Sequence, residues 1–213
     1  MIDQTLLTSV QYALLEPPSG GHTWLSGLWT RDEVYRALDL RQQRLLKTTH
    51  LQVGLGEIPG VIGQARYALP DDWLATVLLA WDQTVAGVRT IREVFRSDMY
   101  QADLGDPTWE TLDARPLVYS DADTPTRTLQ LMPAPSLAGT IQLLYVPLAE
   151  PPTGAGEPLQ IPNELALPVL KYGVLAAALG KVGRAQDPQR ANYCEWRGRL
   201  GEDVARLLIS GGG

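Results

Sequence analysis

Cysteine is nearly missing from this chain of 213 residues: Cys194 stands alone. No disulfide can close within one copy, so nothing here demands an oxidising compartment. Histidine is almost as scarce, with only His22 and His50. Neither has a second His or a Cys at ligand spacing, which argues against a zinc site. His22 follows two glycines in a loop, and His50 closes a helix, where the dipole favours a cation. Phe occurs once, so Leu, Ala, Val and Trp must fill the core. No apolar run approaches the ~20 residues of a membrane-spanning helix, and no membrane contact is expected. The first residues carry Asp3 and no Lys or Arg ahead of the apolar positions, which argues against a secretory signal.

A basic stripe is also missing. Residues 51–180 hold seven basic and fifteen acidic side chains, a net of −8, whereas residues 181–213 are net +2 and residues 1–50 are neutral. A sequence-specific DNA binder concentrates cations on one face. This middle segment would repel a phosphate backbone.

What is present is globular material, 45% apolar and 20% charged. Asp3 is placed as the cap of a first helix reaching about Leu15, with Leu6, Leu7, Val10 and Leu14 on one face. The Pro and Gly of Glu16–Gly21 stop it. Thr30 followed by Glu33 is a capping box opening a second helix, with Val34, Leu38 and Leu45 as its stripe. From Val53 the runs shorten. "VIGQARYAL", "ATVLLAW", "TVAGVRTI", "PLVYS", "RTLQLM" and "GTIQLLYV" each fit a strand, and "REVFRSDMYQADLG" reads as a helix between them. This region is expected to form an antiparallel sandwich or barrel. "MPAPSLAG" is expected as a hairpin connection, because Pro133 and Pro135 cannot donate to a ladder. "DADTP" at Asp121–Pro125 reads as a turn. Leu148–Pro158 reads as a linker. One helical turn is expected over Pro162–Leu167, then a main helix from Pro168 to about Lys181. Asp187 and Pro188 start a last helix as cap and first residue, ending near Ser210.

Catalytic hardware is hard to find. Cys194 has no base nearby in sequence, and a nucleophile needs one. "GLGEIPG" at Gly54–Gly60 leads into no helix, so it reads as a turn rather than a phosphate loop. Asp71 and Asp72 follow Pro70, and Asp121 and Asp123 lie in a turn. Such carboxylates could serve a glycosidase, but residues of this kind more commonly solvate or cap turns. The six tryptophans, Trp24, Trp29, Trp73, Trp81, Trp109 and Trp196, are scattered as core anchors are. No catalytic, cofactor or metal residue is assigned.

Two features point to assembly instead. The helix before Lys181 is rich in small residues, among them Gly173, Ala176 and Ala177, which permit close approach inside the chain or between copies. On the last helix Tyr193, Trp196, Leu200, Val204 and Leu207 form a stripe about 80° wide at 100° per residue. Arg190 and Arg197 flank it on one side, Arg199 and Arg206 on the other. The helix is expected to dock to a partner protein or to a neighbouring subunit through these arginines, whose planar fork pairs bidentately with carboxylates. The alternative is that the four are solvated or pair within the chain.

Taken in order, "LWTRDEVYRALDLRQQRLLK", "ARYALPDDWLA", "TWETLDARPLVYSD", "LQLMPAPSLAGTIQLLYVPLAEPP" and "IPNELALPVLKYGVLAAAL" resemble the head-to-tail adaptor (connector) proteins of tailed bacteriophages. The resemblance implies an α+β chain. Residues 1–55 and 159–213 would form a helical bundle, and residues 56–158 a β-rich insertion. It implies a structural virion protein at the neck, made in the host cytoplasm, with no cofactor. Its partners would be the portal protein above, copies of itself in a ring, twelvefold if the family pattern holds, and tail or nozzle proteins below. The last helix would dock to the portal or to a neighbouring copy. DNA would pass through non-specifically. The competing readings are a fibre or baseplate attachment module and a muralytic hydrolase using Asp71 or Asp72 as its acid.

Overall fold

The computed structural model describes residues 2–15, 24, 27–122, 127–152 and 159–210. The stop at Glu16–Gly21, His22, the end of the Asp121–Pro125 turn and most of the Leu148–Pro158 linker lie outside these residues. The chain is α+β, and its contacts divide it into two compact units, Met1–Leu51 with Ala149–Gly213, and Gln52–Leu148.

The first unit begins with helices α1 (Ile2–Ala13) and α2 (Arg31–Thr49). Leu6, Leu7, Val10 and Leu14 are all buried, as their period requires. Asp3 lies inside the first turn and is not a cap, since α1 already starts at Ile2. The capping box of α2 is complete: Glu33 N–H donates to Thr30 Oγ1, and Thr30 N–H donates to the Glu33 carboxylate. Val34, Leu38 and Leu45 are buried. His50 ends α2 in the left-handed region at φ 53°, its N–H bonded to the Leu46 carbonyl.

The second unit is built on β1 (Gly54–Gly60), β2 (Arg66–Ala68), β3 (Trp73–Val85) and β4 (Val88–Arg96). A short helix α3 (Met99–Gly105) and strand β5 (Asp113–Ala114) follow. Then come β6 (Val118–Ser120), β7 (Thr128–Met132), β8 (Ala134–Pro135) and β9 (Gly139–Pro147). Seven strands make one near-barrel sheet in the order β1-β9-β3-β4-β6-β7-β2, and β5 pairs with β8 in a small second sheet. The edge strands β1 and β2 are tied where the Tyr67 hydroxyl accepts from Val61 N–H at 3.0 Å. Alternate residues Ile141, Leu143 and Tyr145 of β9 enter a core with Leu79, Trp81, Val94, Leu129 and Leu131.

Several sequence expectations change here. Gly54–Gly60 is an edge strand paired along its whole length with β9, not a turn. Its glycines leave room for rings: a Cβ on Gly54 would lie 3.1 Å from the Tyr145 ring, and one on Gly60 2.3 Å from Trp81. "TVAGVRTI" is not one strand but the tip of the β3–β4 hairpin, turned at Ala86 (φ 49°) and Gly87 (φ 80°). "REVFRSDMYQADLG" is helical only over Met99–Gly105. Its first part belongs to β4, where Val94 pairs with Leu79 in the core. "VIGQARYAL" keeps only Arg66–Ala68 as strand. "MPAPSLAG" is not a hairpin connection: β7 pairs with β2 and β6, whereas β9 pairs with β1 and β3. The segment crosses between different parts of the sheet, and Ala134–Pro135 pairs with β5 on the way.

The chain returns to the helical unit through α4 (Asn163–Leu165), a π-helical turn over Ala166–Lys171, α5 (Tyr172–Gly180) and α6 (Pro188–Ser210). Pro168 therefore does not start the main helix. The wider π turn accommodates a residue that lacks an N–H and clashes with the carbonyl of a normal α turn.

Candidate functional site

Helix α6 is where the sequence concentrates its oddities. Asp187 caps it, its carboxylate accepting from Arg190 N–H at 3.0 Å, and Pro188 takes the first position. Its buried residues are Ala191, Cys194, Gly198, Gly201, Glu202 and Ala205. Stepping by three and four, they form one face of mostly small side chains. That face packs closely: a Cβ on Gly198 would lie 3.5 Å from the Gly173 backbone nitrogen, and one on Gly201 would sit 2.9 Å from the Pro168 carbonyl oxygen. Two acids on this helix meet two arginines of α2. Arg41 grips Glu195 at 2.5 Å, and Arg44 reaches the buried Glu202 at 3.0 Å. The Glu195 carboxyl is held below its ordinary value, first by the Arg41 hydrogen bond and further by Arg199, against the opposing pull of burial.

The stripe lies on the opposite face, about 120–180° round the helix from Gly198 at 100° per residue. Tyr193, Trp196 and Leu207 are 54%, 56% and 70% exposed, and Leu200 and Val204 are also exposed. Tyr193 and Trp196 pack ring to ring at 6.0 Å. An ordinary surface helix turns its apolar side inward and its charges outward. Here small residues face in and large apolar ones face out. Beside the stripe, Leu165, Pro168, Tyr172, Leu200 and Val204 line a groove of about 260 Å³.

All four arginines have partners within the chain. Arg190 donates to the Ala13 carbonyl at 2.9 Å. The Arg197 guanidinium lies 5.2 Å from the centre of the Tyr172 ring. Arg199 meets Glu195 at 3.2 Å and Arg206 meets Asp203 at 3.4 Å. Gly173 and Ala176 are buried inside the unit, with Arg41 crossing Gly173 so closely that a Cβ there would meet it at 2.7 Å. Ala177 stays exposed and lines a cleft with Trp29, Val34 and Val174.

The residues that carry chemistry elsewhere are dispersed. Cys194 is buried and free, and burial pushes its thiol up, away from the reactive thiolate. Asp71 is fully exposed, 4.0 Å from Arg127. Asp72 accepts from the Tyr145 hydroxyl at 3.0 Å. The Asp121 side chain is buried, with Arg96 2.6 Å away. Among the described residues no three His, Cys, Asp or Glu side chains group as metal ligands would. Among them, too, no helix is long and apolar enough to cross a membrane. Trp29, Trp81 and Trp109 are buried, but Trp196 is not the core anchor expected of it.

Sequence reasoning found the outward stripe and missed the inward face. The signal was there: Ala191, Cys194, Gly198, Gly201 and Ala205 recur at helical spacing. Comparison with curated proteins finds no match. The family model described as SU10 adaptor protein matches residues 4–209, nearly the whole length. This chain, with helices at both ends, a central near-barrel and an outward apolar helix face, belongs to the SU10 adaptor protein family of phage head-to-tail adaptors.

Proposed function

We propose that copies of this chain close into a ring below the portal in the phage neck, twelvefold, joining the DNA-filled head to the tail and leaving a channel for DNA. The observation that carries this reading is the outward face of α6. It turns Tyr193, Trp196, Leu200, Val204 and Leu207 away from the chain's own core. Such a patch marks an interaction surface, and in this reading another protein covers it. The exposed Ala177 beside Trp29 and Val34 is a second place for close approach by a neighbour. The work is mechanical: hold two machines in register and stay out of the way of the genome.

Complete particles reconstructed at the neck should show this chain as the ring directly beneath the portal. Particles made without it should accumulate as filled heads that lack tails. A different chain in that ring, or normal joining without this one, overturns the proposal.

A further inference from the structure

Resting on the ring reading above, we infer that the outward face of α6 in one copy docks on the acidic segment Asp98–Asp113 of a second copy. The α6 face has two requirements. Its five stripe residues together with the exposed Leu208 leave on the order of 500–700 Å² of apolar side chain open, taking about 200 Å² for a large side chain. That approaches the ~800 Å² that each partner contributes to a specific interface. Its flanks carry Arg190, Arg197, Arg199 and Arg206 against one exposed acid, Asp203, so the surface that covers it should be apolar with an acidic surround.

The chain itself carries such a surface. Residues 97–114 hold Asp98, Asp103, Asp106, Glu110 and Asp113 and no cation. All five carboxylates are exposed. Tyr100, Leu104 and Leu112 stand exposed among them at 71%, 69% and 43%, with Leu117 just beyond. Helix α3 buries none of its residues. It is a helix of seven residues with nothing of its own to cover, lying within a stretch of one charge sign.

The arginines are available for this. Arg199 is a third cation on Glu195, which Arg41 already holds. Arg206–Asp203 is an exposed pair three residues apart, a kind worth only about 0–1 kcal/mol. Exchanging those partners for carboxylates of a neighbour costs little. The two patches differ, so the contact is heterologous. A heterologous contact is the kind that propagates from copy to copy until a ring closes.

Charge exchange tests this on full-length protein in particles. Arg199→Glu with Arg206→Glu, and separately Glu110→Arg with Asp113→Arg, should each cut ring occupancy on heads about tenfold or more. Glu110 and Asp113 are chosen because Asp98, Asp103 and Asp106 accept bonds within their own segment. All four reversals in one chain should restore occupancy to within a few-fold of wild type, with circular dichroism unchanged throughout. Two losses without rescue mean that α6 faces another protein, and this inference falls while the adaptor reading stands. Normal occupancy in either double variant also overturns it. Absence of the wild-type chain from the neck would defeat the ring reading instead.

Discussion

Two glycines make room for the indole of Trp81. A Cβ on Gly139 would fall 2.6 Å from the ring and 2.7 Å from the Asp82 carbonyl oxygen, and one on Gly60 would fall 2.3 Å from the ring. Backbone cannot give way as the end of a flexible side chain can. Gly139→Ala should therefore lower the unfolding free energy by about 1–3 kcal/mol in denaturant titrations. Gly105→Ala, where an added methyl meets open space, should stay within about 0.5 kcal/mol. Equal midpoints for the two variants would sink this account. These roles were not legible in the sequence. "GLGEIPG" looks like turn chemistry because the rings that need the space come from Trp81 and Tyr145, far along the chain. Cys194 was more legible: no base lies near it in sequence, and in the fold burial raises its pKa. Cys194→Ser should leave ring assembly and joining of heads to tails unchanged, measured by infectivity. A defect well beyond a modest fall in melting temperature would show that the thiol does something more.

Helices α2 and α6 are joined by ion pairs, and the contribution of the one at Glu195 depends on pH. Glu195 is held below its ordinary 4.5, chiefly by Arg41. A depressed carboxyl contributes stability that is fully present above the unfolded value and lost as pH falls through the folded one. The melting-temperature gap between wild type and Glu195→Gln should therefore be largest near neutrality, shrink below about pH 4.5 and close at lower pH. A gap that persists unchanged to pH 3, or widens there, would contradict the assignment. Among elements, what the sequence announced was local. The Thr30–Glu33 box and the Asp187–Pro188 start act within one turn of chain, and both stand as read. Two local readings failed, the Asp3 cap and the single strand over the Ala86–Gly87 turn; the larger errors are where partners are distant. "MPAPSLAG" has hairpin composition, yet its flanking strands take β2, β6, β1 and β3 as neighbours instead of each other. Pro168 signals a helix break, yet the chain passes through it in a π turn over Ala166–Lys171, with Gly201 packed against its carbonyl. The outward stripe of α6 was legible because five residues at helical spacing need no knowledge of the rest. The small inward face was harder to assign, since Ala and Gly give weak period signals unless the opposing backbone is known.

Over the whole molecule, charge is sorted by segment. Residues 51–180 carry −8, and the last thirty-three residues carry +2 with four arginines on one helix. In the proposed ring that pattern is multiplied by the copy number. Basic flanks that pair at joints would be consumed there, while acids that pair with nothing would remain on open surfaces. Duplex DNA carries a charge about every 1.7 Å of its axis, so a cationic lumen would hold it and an anionic one would let it slide. The channel of the assembled ring should therefore be net acidic. The isolated chain should not retard duplex DNA in gel shift at low salt, where electrostatic attraction is strongest. Two measurements check this. Surface potential on a reconstructed ring should be negative along the lumen, with the excess carried by residues 51–180. Reversing lumen carboxylates to Lys should slow genome exit, and added salt should relieve that slowing because screening weakens the new attraction. A neutral or basic lumen would leave the −8 as a solubility feature of the outer surface. Exit rates indifferent to both the reversal and the salt would remove any part for charge in passage of the genome.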